Sequence, residues 1–559
     1  MPDSPGKERT LGWLLLGAAM AVAVALLFWL QRDLAYADDG FNWLALSGLG
    51  SDEVLLQPYG GHLIFTPLLL FKAVLEIAGT DYAAFGAVQV ALLLTLSGLL
   101  YVYGRRRVGP LLALAPALLV LFLGASWNVM LQPTLGIQFL CALTPGLAGL
   151  VVLERDDRKG DIAACLLFVL ACWGFEMGFG FVVGAAVTIL WRDDRWRRIW
   201  IVAIPFVIYG IWKLWATKFE GSAGLEPANL LWAPAYFVDS FGVISVSLFG
   251  LSGWVGHGQL TALKLTGFDA NHFTEGIVIL ILGGLAVFFA VRRLRRRGPL
   301  PASFWAAVAV LATIWLEQAL ALSLDRTPGE TRYIFPGTVA FLLVVLELAR
   351  GVRVTRLALV VGAALLAAAL VGNASRFQEG RDLLARYSGP ANAAIAAIVL
   401  GGDSYPPGFN SALEAPEAFP PGLPAYVGAG SIQAIAVKYG NPGFSVAELE
   451  AQPEEVRRAA DIVAAHGLGV HTAPAGSAGA SCRPAAGAGD SVTLPSGGAI
   501  LASPRPSPLL ARRFADEFVI EVGEVAPGQP TALAIPSDST ARPWVVQAPD
   551  SGGLTACPL

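Results

Sequence analysis

The stretch LGWLLLGAAMAVAVALLFWL, residues 11–30, decides the class of fold. Its 20 residues carry no charge, and at ~1.5 Å per residue a helix of this length crosses ~30 Å of hydrocarbon. Lys7 and Arg9 precede it. The run is longer than the apolar core of a secretory signal, and Ala35-Tyr36-Ala37, which imitates a cleavage site, lies too far beyond it, so an uncleaved first span is expected.

The rest of the chain has the same character. Of 559 residues, 55% are hydrophobic and 14% charged, and the mean hydropathy is +0.61, whereas soluble domains are about 25% charged. The net charge of −4 averages two dissimilar regions and gives no footprint for a nucleic acid. Basic residues fall in short clusters between apolar runs: Arg105 to Arg107, Arg155/Arg158/Lys159, Arg192/Arg195/Arg197/Arg198, Arg292/Arg293/Arg295 to Arg297, and Arg350/Arg353/Arg356. Such loops stay cytoplasmic, so consecutive clusters must be separated by an even number of crossings.

That parity decides which apolar runs span. Between the first two clusters lie Leu11 to Leu30, Leu63 to Ala78 and Tyr82 to Tyr103, and one of them cannot cross. The middle run has Thr66 as a natural N-cap, Pro67 for the first helical position and Gly79 as a stop. A helix of about 12 residues, ~18 Å, is expected there, lying in the outer interface. The run Ile162 to Leu190 must begin and end inside, so it is expected to break at Trp173-Gly174-Phe175-Glu176 and place Glu176 at the tip of a hairpin.

Leu111 to Leu123, Gly136 to Leu153, Ile199 to Trp215, Ile277 to Val291, Phe304 to Leu322, Ile334 to Leu348 and Leu357 to Val371 are expected to cross, while parity makes Tyr236 to Leu251 interfacial. The count is eleven crossings, N-terminus inside and C-terminus outside. The expected fold class is therefore an α-helical polytopic membrane protein with a mixed α/β extracytoplasmic domain. Its divisions are a cytoplasmic tail over 1–10, a transmembrane domain over 11–373 and the outer domain over 374–559.

In the outer domain, helical patterns cover Arg376 to Leu400 and Val446 to Ala465. Strand-like alternation follows at Ala499 to Ser503, Phe518 to Val522, Ala532 to Ile535 and Trp544 to Gln547, which suggests a small β-sandwich. Of five cysteines, Cys141, Cys165 and Cys172 lie in apolar runs, and Cys482 and Cys557 could pair as a disulfide in an oxidising compartment. His257, His272, His466 and His471 lack metal-ligand spacing, so no zinc site is expected.

Candidate chemistry concentrates outside the spans. Asp38-Asp39, followed by Gly40-Phe41-Asn42-Trp43, stands where the chain leaves the first span. It reads either as a solvated turn or, with aromatic residues returning the loop to the interface, as carboxylates in a partly dehydrated cavity, a setting that suits a general base. Arg332 and Arg326 can grip a phosphate or pair with Asp325 and Glu330 in their own loop. Lys218 can assist a phosphate or extend to the interface. Glu317, inside an apolar helix, needs a partner or a watery cavity.

Four features together resemble the C-type glycosyltransferase superfamily of bacterial membrane enzymes that use polyprenyl-phosphate sugars. They are the Asp38-Asp39 pair; Gly61-His62-Leu63-Ile64-Phe65-Thr66-Pro67-Leu68 with Gly79-Thr80-Asp81-Tyr82 after it; the hairpin around Glu176; and Thr331-Arg332-Tyr333-Ile334-Phe335-Pro336. The likeness covers about residues 10 to 375, without the double proline of the His62 segment and with Glu176 where many relatives carry Lys. It implies inverting, metal-independent sugar transfer from a polyprenyl-phosphate donor to a glycan or lipid-linked envelope acceptor at the outer face of the cytoplasmic membrane. Asp38 and Asp39 would be catalytic, Arg332, Arg326 and Lys218 would bind the donor phosphate, and His62, Tyr333, Glu176 and Glu317 would line the substrate cavity. No cofactor is implied, and a divalent metal is not required. Two other classes stay open: a lipid-linked glycan transporter or flippase, which would spread charge through the bilayer centre, and a non-catalytic envelope scaffold.

Overall fold

Eight helices among the described residues are long and apolar enough to cross a membrane: Gly6–Gln31, Tyr82–Val108, Leu114–Leu131, Pro133–Leu153, Pro227–Leu248, Ala302–Leu320, Thr331–Leu348 and Arg356–Ser404. Two shorter apolar helices, Gly178–Leu190 and Trp200–Ala216, join them, and the chain is an integral membrane protein. The computed structural model describes residues 5–36, 40–51, 54–219, 226–251, positions 281, 284, 288, 291 and 295, and residues 300–323, 326–352, 354–420, 428–475, 483–484, 491–518, 520–536 and 538–559. The expected span Ile277 to Val291 lies almost wholly outside them, as do Asp38, Asp39 and Cys482.

The chain divides into two units by contact. One comprises Met1–Arg32, Ser51–Leu70 and Ala83–Asp382; the other comprises Asp33–Gly50, Phe71–Tyr82 and Leu383–Leu559. The second unit therefore takes in two segments of the region expected to be transmembrane, and the division falls within one continuous helix, Arg356–Gly401.

In the first unit Pro133–Leu153 is the central helix, with 72% of its apolar window buried against 22% for the peripheral Gly6–Gln31. Small residues let its neighbours approach: a Cβ on Gly146 would fall 2.4 Å from the Phe181 ring, and one on Gly149 2.5 Å from the Phe168 ring. Amides bridge helices where no water competes. Gln31 Nε2 donates to Gln89 Oε1 at 3.0 Å and to the Met130 carbonyl at 3.2 Å. Asn373 Nδ2 donates to the Ser247 carbonyl at 3.0 Å while its Oδ1 accepts from Ala125 N–H at 3.1 Å.

The expected break in the long run is present. Arg158–Gly174 starts on an Asp157 cap whose side chain accepts from Gly160 N–H, and it ends at extended Phe175 before Gly178–Leu190 begins. Gly174 and Gly178 permit the turn by close packing, since a Cβ on either would stand 2.4 Å from the carbonyl oxygen of Cys141 or Ala171. The run that parity makes interfacial, Tyr236 to Leu251, falls largely in a 22-residue helical stretch, Pro227–Leu248, in which a 3-10 turn at Pro227–Trp232 extends Ala233–Leu248 backwards.

The second unit is built around two antiparallel sheets. Its strands are β1 Thr472–Pro474, β2 Arg483–Pro484, β3 Ser491–Thr493, β4 Gly497–Ala502, β5 Ser507–Arg512, β6 Ile520–Val525, β7 Thr531–Ile535, β8 Val545–Gln547 and β9 Thr555–Pro558. One sheet has the order β1-β7-β4-β9-β2 and the other β3-β8-β5-β6. Alternate residues such as Leu501, Leu509, Val525, Leu533 and Val546 form the core, as period-two burial requires. Buried Asp461 accepts from the N–H groups of Arg513, Phe514 and Ala515 at 2.7, 2.8 and 3.0 Å. Burial pushes its carboxyl up to about 6, against the pull of those donors and of Arg513. Arg513 is also paired with Asp538. Cys557 is disulfide-bonded.

Helix Ala429–Tyr439 of this unit packs on Gly40–Leu49. The Gly48 carbonyl accepts from Lys438 Nζ at 2.9 Å and Tyr439 Oη at 3.2 Å, and Tyr439 Oη also donates to Glu76 at 2.8 Å. Thr80 Oγ1 donates to the Gly440 carbonyl at 3.2 Å. The segment that follows Asp39 is thus gripped by residues nearly four hundred positions later.

Candidate functional site

The basic clusters fix one end of the first unit's helices. Arg106 and Arg107 reach Glu154 at 2.6 and 2.5 Å, and Arg107 also pairs with the fully buried Glu347. Glu347 accepts in addition from Tyr103 Oη and Ser303 Oγ, both at 2.9 Å. Asp156 takes Arg192 and Arg198, each at 2.7 Å, and Arg198 pairs further with Asp161. Gly351 N–H donates to the Arg107 carbonyl at 2.9 Å. Clusters that parity had assigned to one side of the membrane therefore meet in two ion-pair networks, one through Glu154 and Glu347 and one through Asp156 and Asp161.

Helix length separates this end from the other. From Ser303 to Glu317, and from Glu347 back to Arg332, about 2 nm of helix intervenes, at ~1.5 Å per residue. Glu317, Arg332 and the Glu176 turn thus share the end remote from those networks.

There the sequence Tyr59-Gly60-Gly61-His62 forms a tight two-residue turn. Tyr59 and His62 exchange both backbone hydrogen bonds at 3.0 Å, and Gly60 and Gly61 take φ of 55° and 84°, values that side chains resist. The turn is anchored by Trp212 Nε1, which donates to the Leu56 carbonyl at 2.8 Å, and by Leu63, buried with Trp212 and Ala216. It presents His62 to the break in the long run: His62 Nδ1 lies 2.6 Å from Glu176 Oε2, with side-chain exposures of 16% and 19%. The pair is partly hydrated. Phe175 covers the imidazole at a ring distance of 5.1 Å. With Nδ1 engaged by the carboxylate, Nε2 is the nitrogen left to exchange a proton with another group.

Glu317 completes the cluster. Its Oε2 is buried with no hydrogen-bond partner, and it lies within electrostatic reach of Glu176, Tyr209 and Cys172. Next to it, Gln318 accepts from Tyr236 Oη at 3.5 Å, and Tyr236 is in electrostatic reach of Tyr333, Asp239 and Glu330. The Arg332 guanidinium stands 5.3 Å from the Tyr333 ring centre. The end of Ala302–Leu320 therefore joins two polar groups, one around His62 and Glu176 and one around Tyr236 and Tyr333.

Of the residues singled out by sequence, His62, Glu176 and Glu317 come together, and Tyr333 and Arg332 stand in the adjoining group. Arg326 is half-buried in the loop before Thr331–Leu348, and Lys218 is exposed beyond Trp200–Ala216. Asp38 and Asp39 lie outside the described residues. Sequence reading missed Tyr209, Tyr236 and Gln318; the signal available was an amide adjoining a carboxylate within an apolar helix. An apolar cleft of about 410 Å³ also opens in this unit, lined by Phe241, Leu248, Phe341, Val345, Leu365 and Ala369. No group of three or more His, Cys, Asp or Glu side chains among the described residues is placed to hold a metal ion.

These features define a polytopic helical membrane protein with an ionisable cluster at one end of its spans. No family model matches the chain, and no curated protein matches it. Among solved structures it is similar to the crystal structure of ArnT from Cupriavidus metallidurans bound to undecaprenyl phosphate, at 15% identity over 70% of this chain and 80% of that chain, with a TM-score of 0.41.

Proposed function

We propose that the protein is a membrane glycosyltransferase that moves a sugar from a polyprenyl-phosphate donor to an envelope acceptor at the non-cytoplasmic face of the cytoplasmic membrane. The observation that carries this reading is the convergence of His62, Glu176 and Glu317. Ionisable groups at the end of apolar helices are costly, and their convergence from a loop, a helix break and a span end marks a working site. Positive loops lie inside, so this end faces outward. Chemistry gathered at one end favours surface transfer over transport, which would spread charge along the spans.

In this reading Asp38 takes the proton of the acceptor hydroxyl, with Asp39 positioning the acceptor. The oxygen then bonds to the anomeric carbon as the bond to the donor phosphate breaks on the opposite face, which inverts the centre. Arg332, assisted by Arg326 and Lys218, receives the leaving phosphate. His62, Glu176, Glu317 and Tyr333 line the sugar cavity, and the apolar cleft beside Phe241 and Phe341 accommodates the isoprenoid chain. The phosphate leaves as a stable anion, so no step calls for a metal.

The test is Asp38→Asn with Asp39→Asn, followed by mass-spectrometric profiling of envelope glycans. Loss of a defined glycan with accumulation of its polyprenyl-linked donor is expected, at normal protein level. Unchanged glycans would overturn the reading and leave a scaffold.

A further inference from the structure

A cleft of about 480 Å³ lies wholly within the second unit, where helix Arg356–Gly401, the turn at Pro416–Ala418 and helix Glu454–Gly467 border one another. Two different helices bring Arg386 and Arg458 to it, and the lining also includes Tyr387, Phe419, Glu455 and Glu417. Glu417 is occupied by His466, at 2.6 Å. Arg386 and Arg458 are exposed and have no ion-pair partner among the described residues.

That freedom contrasts with three other arginines of the same unit. Arg457, one position earlier, is tied to Asp516 at 2.6 Å and Glu454 at 2.8 Å. Arg542 is held by Glu450 and the Arg513 carbonyl, and Arg512 by the carbonyls of Ala515 and Asp516 at 3.1 and 2.7 Å. Arginines that serve the fold are consumed by it; the two in the cleft keep their planar donor forks.

We infer that this cleft binds an acidic saccharide, a sugar carrying a carboxylate or phosphate. Arg386 and Arg458 grip the anionic oxygens by charge-assisted, bidentate hydrogen bonds. Tyr387 and Phe419 offer aromatic surface to the C–H face of the ring, and Glu455 accepts from sugar hydroxyls. An acidic sugar is the ligand that uses all three kinds of group, and the volume suits a small molecule. The site is independent of the transferase reading, because binding is measured whether or not transfer occurs.

The intact chain in detergent is titrated by saturation-transfer NMR with methyl β-glucuronide, glucose 1-phosphate and methyl β-glucoside, and inorganic phosphate is titrated as a competitor that displaces the glucuronide signal. Both acidic sugars are expected to bind at least ~10-fold more tightly than the neutral glucoside and than inorganic phosphate. Arg386→Ala with Arg458→Ala should abolish that preference, and Arg386→Lys with Arg458→Lys, which keeps the charge but not the fork, should retain part of it at an unchanged melting temperature. Equal binding of the glucoside overturns the anionic assignment. Equal binding of inorganic phosphate overturns the saccharide assignment, and an unaltered double-alanine variant overturns the site.

Discussion

The two ends of the membrane helices solve the problem of charge in opposite ways. At the basic end Glu347, fully buried, is met by Arg107, Tyr103 and Ser303, and Glu154, Asp156 and Asp161 each have an arginine. At the other end Glu317 keeps a buried oxygen unpartnered while facing a second carboxylate, Glu176, whose own partner is His62. A fully satisfied network holds a fold together; an unsatisfied one is poised for a ligand or a proton. The difference separates architecture from chemistry without appeal to any relative.

The largest effect is expected where the network is complete. Glu347→Ala leaves Arg107 buried with only Glu154 as an acid partner, and breaking a buried pair this way costs about 3–5 kcal/mol. Thermal unfolding in detergent should show it as a large drop in melting temperature with poor recovery from membranes. A variant as stable as the parent would mean that the basic end does not hold the helices.

The opposite end should respond in activity. His62→Ala removes one partly buried side chain and its hydrogen bond to Glu176, so its stability cost is expected to be about 1–3 kcal/mol, below that of Glu347→Ala. Glycan transfer should nevertheless fall by about 10²-fold or more if His62 exchanges protons or orients the sugar. Glu176→Gln, which keeps the shape but removes the charge holding Nδ1, should fall less. The comparison fails if His62→Ala unfolds the protein as Glu347→Ala does.

Much of this contrast was legible in the chain. Parity of the basic clusters forced a break in the run from Ile162 to Leu190, and the structure places it at Phe175 to Met177 with Glu176 at the turn. Gly79 stops a short helix as expected, found as Phe65–Ala78, which begins one residue before the Thr66 expected to cap it. Alternation located β4, β6, β7 and β8 to within a few residues. What escaped is non-local. Nothing periodic reveals that Gly48 is held by Tyr439, 391 residues away, or that Phe71–Tyr82 joins the later unit. The single helix expected over Val446 to Ala465 is two, Val446–Glu450 and Glu454–Gly467, because Pro453 lacks the N–H that would continue the first and instead starts the second. The pairing of His62 with Glu176 likewise needed the fold, although each residue stood out alone.

The smallest expected effect gives the sharpest test, because it has the opposite sign at the two ends. Glu317→Gln preserves volume and replaces a carboxylate that has an unpartnered buried oxygen and a like-charged neighbour. Nothing stabilising is removed, so the melting temperature should hold or rise, by the equivalent of at most about 1 kcal/mol. Glu347→Gln, the same change of chemistry at the basic end, breaks a charge pair with Arg107 and should lower it. If both variants are destabilised alike, Glu317 is a structural acid whose partner completes it in the membrane, and the distinction between a fastened end and a working end disappears. If Glu317→Gln is stable and inactive, the carboxylate is kept at an energetic disadvantage because the site requires it.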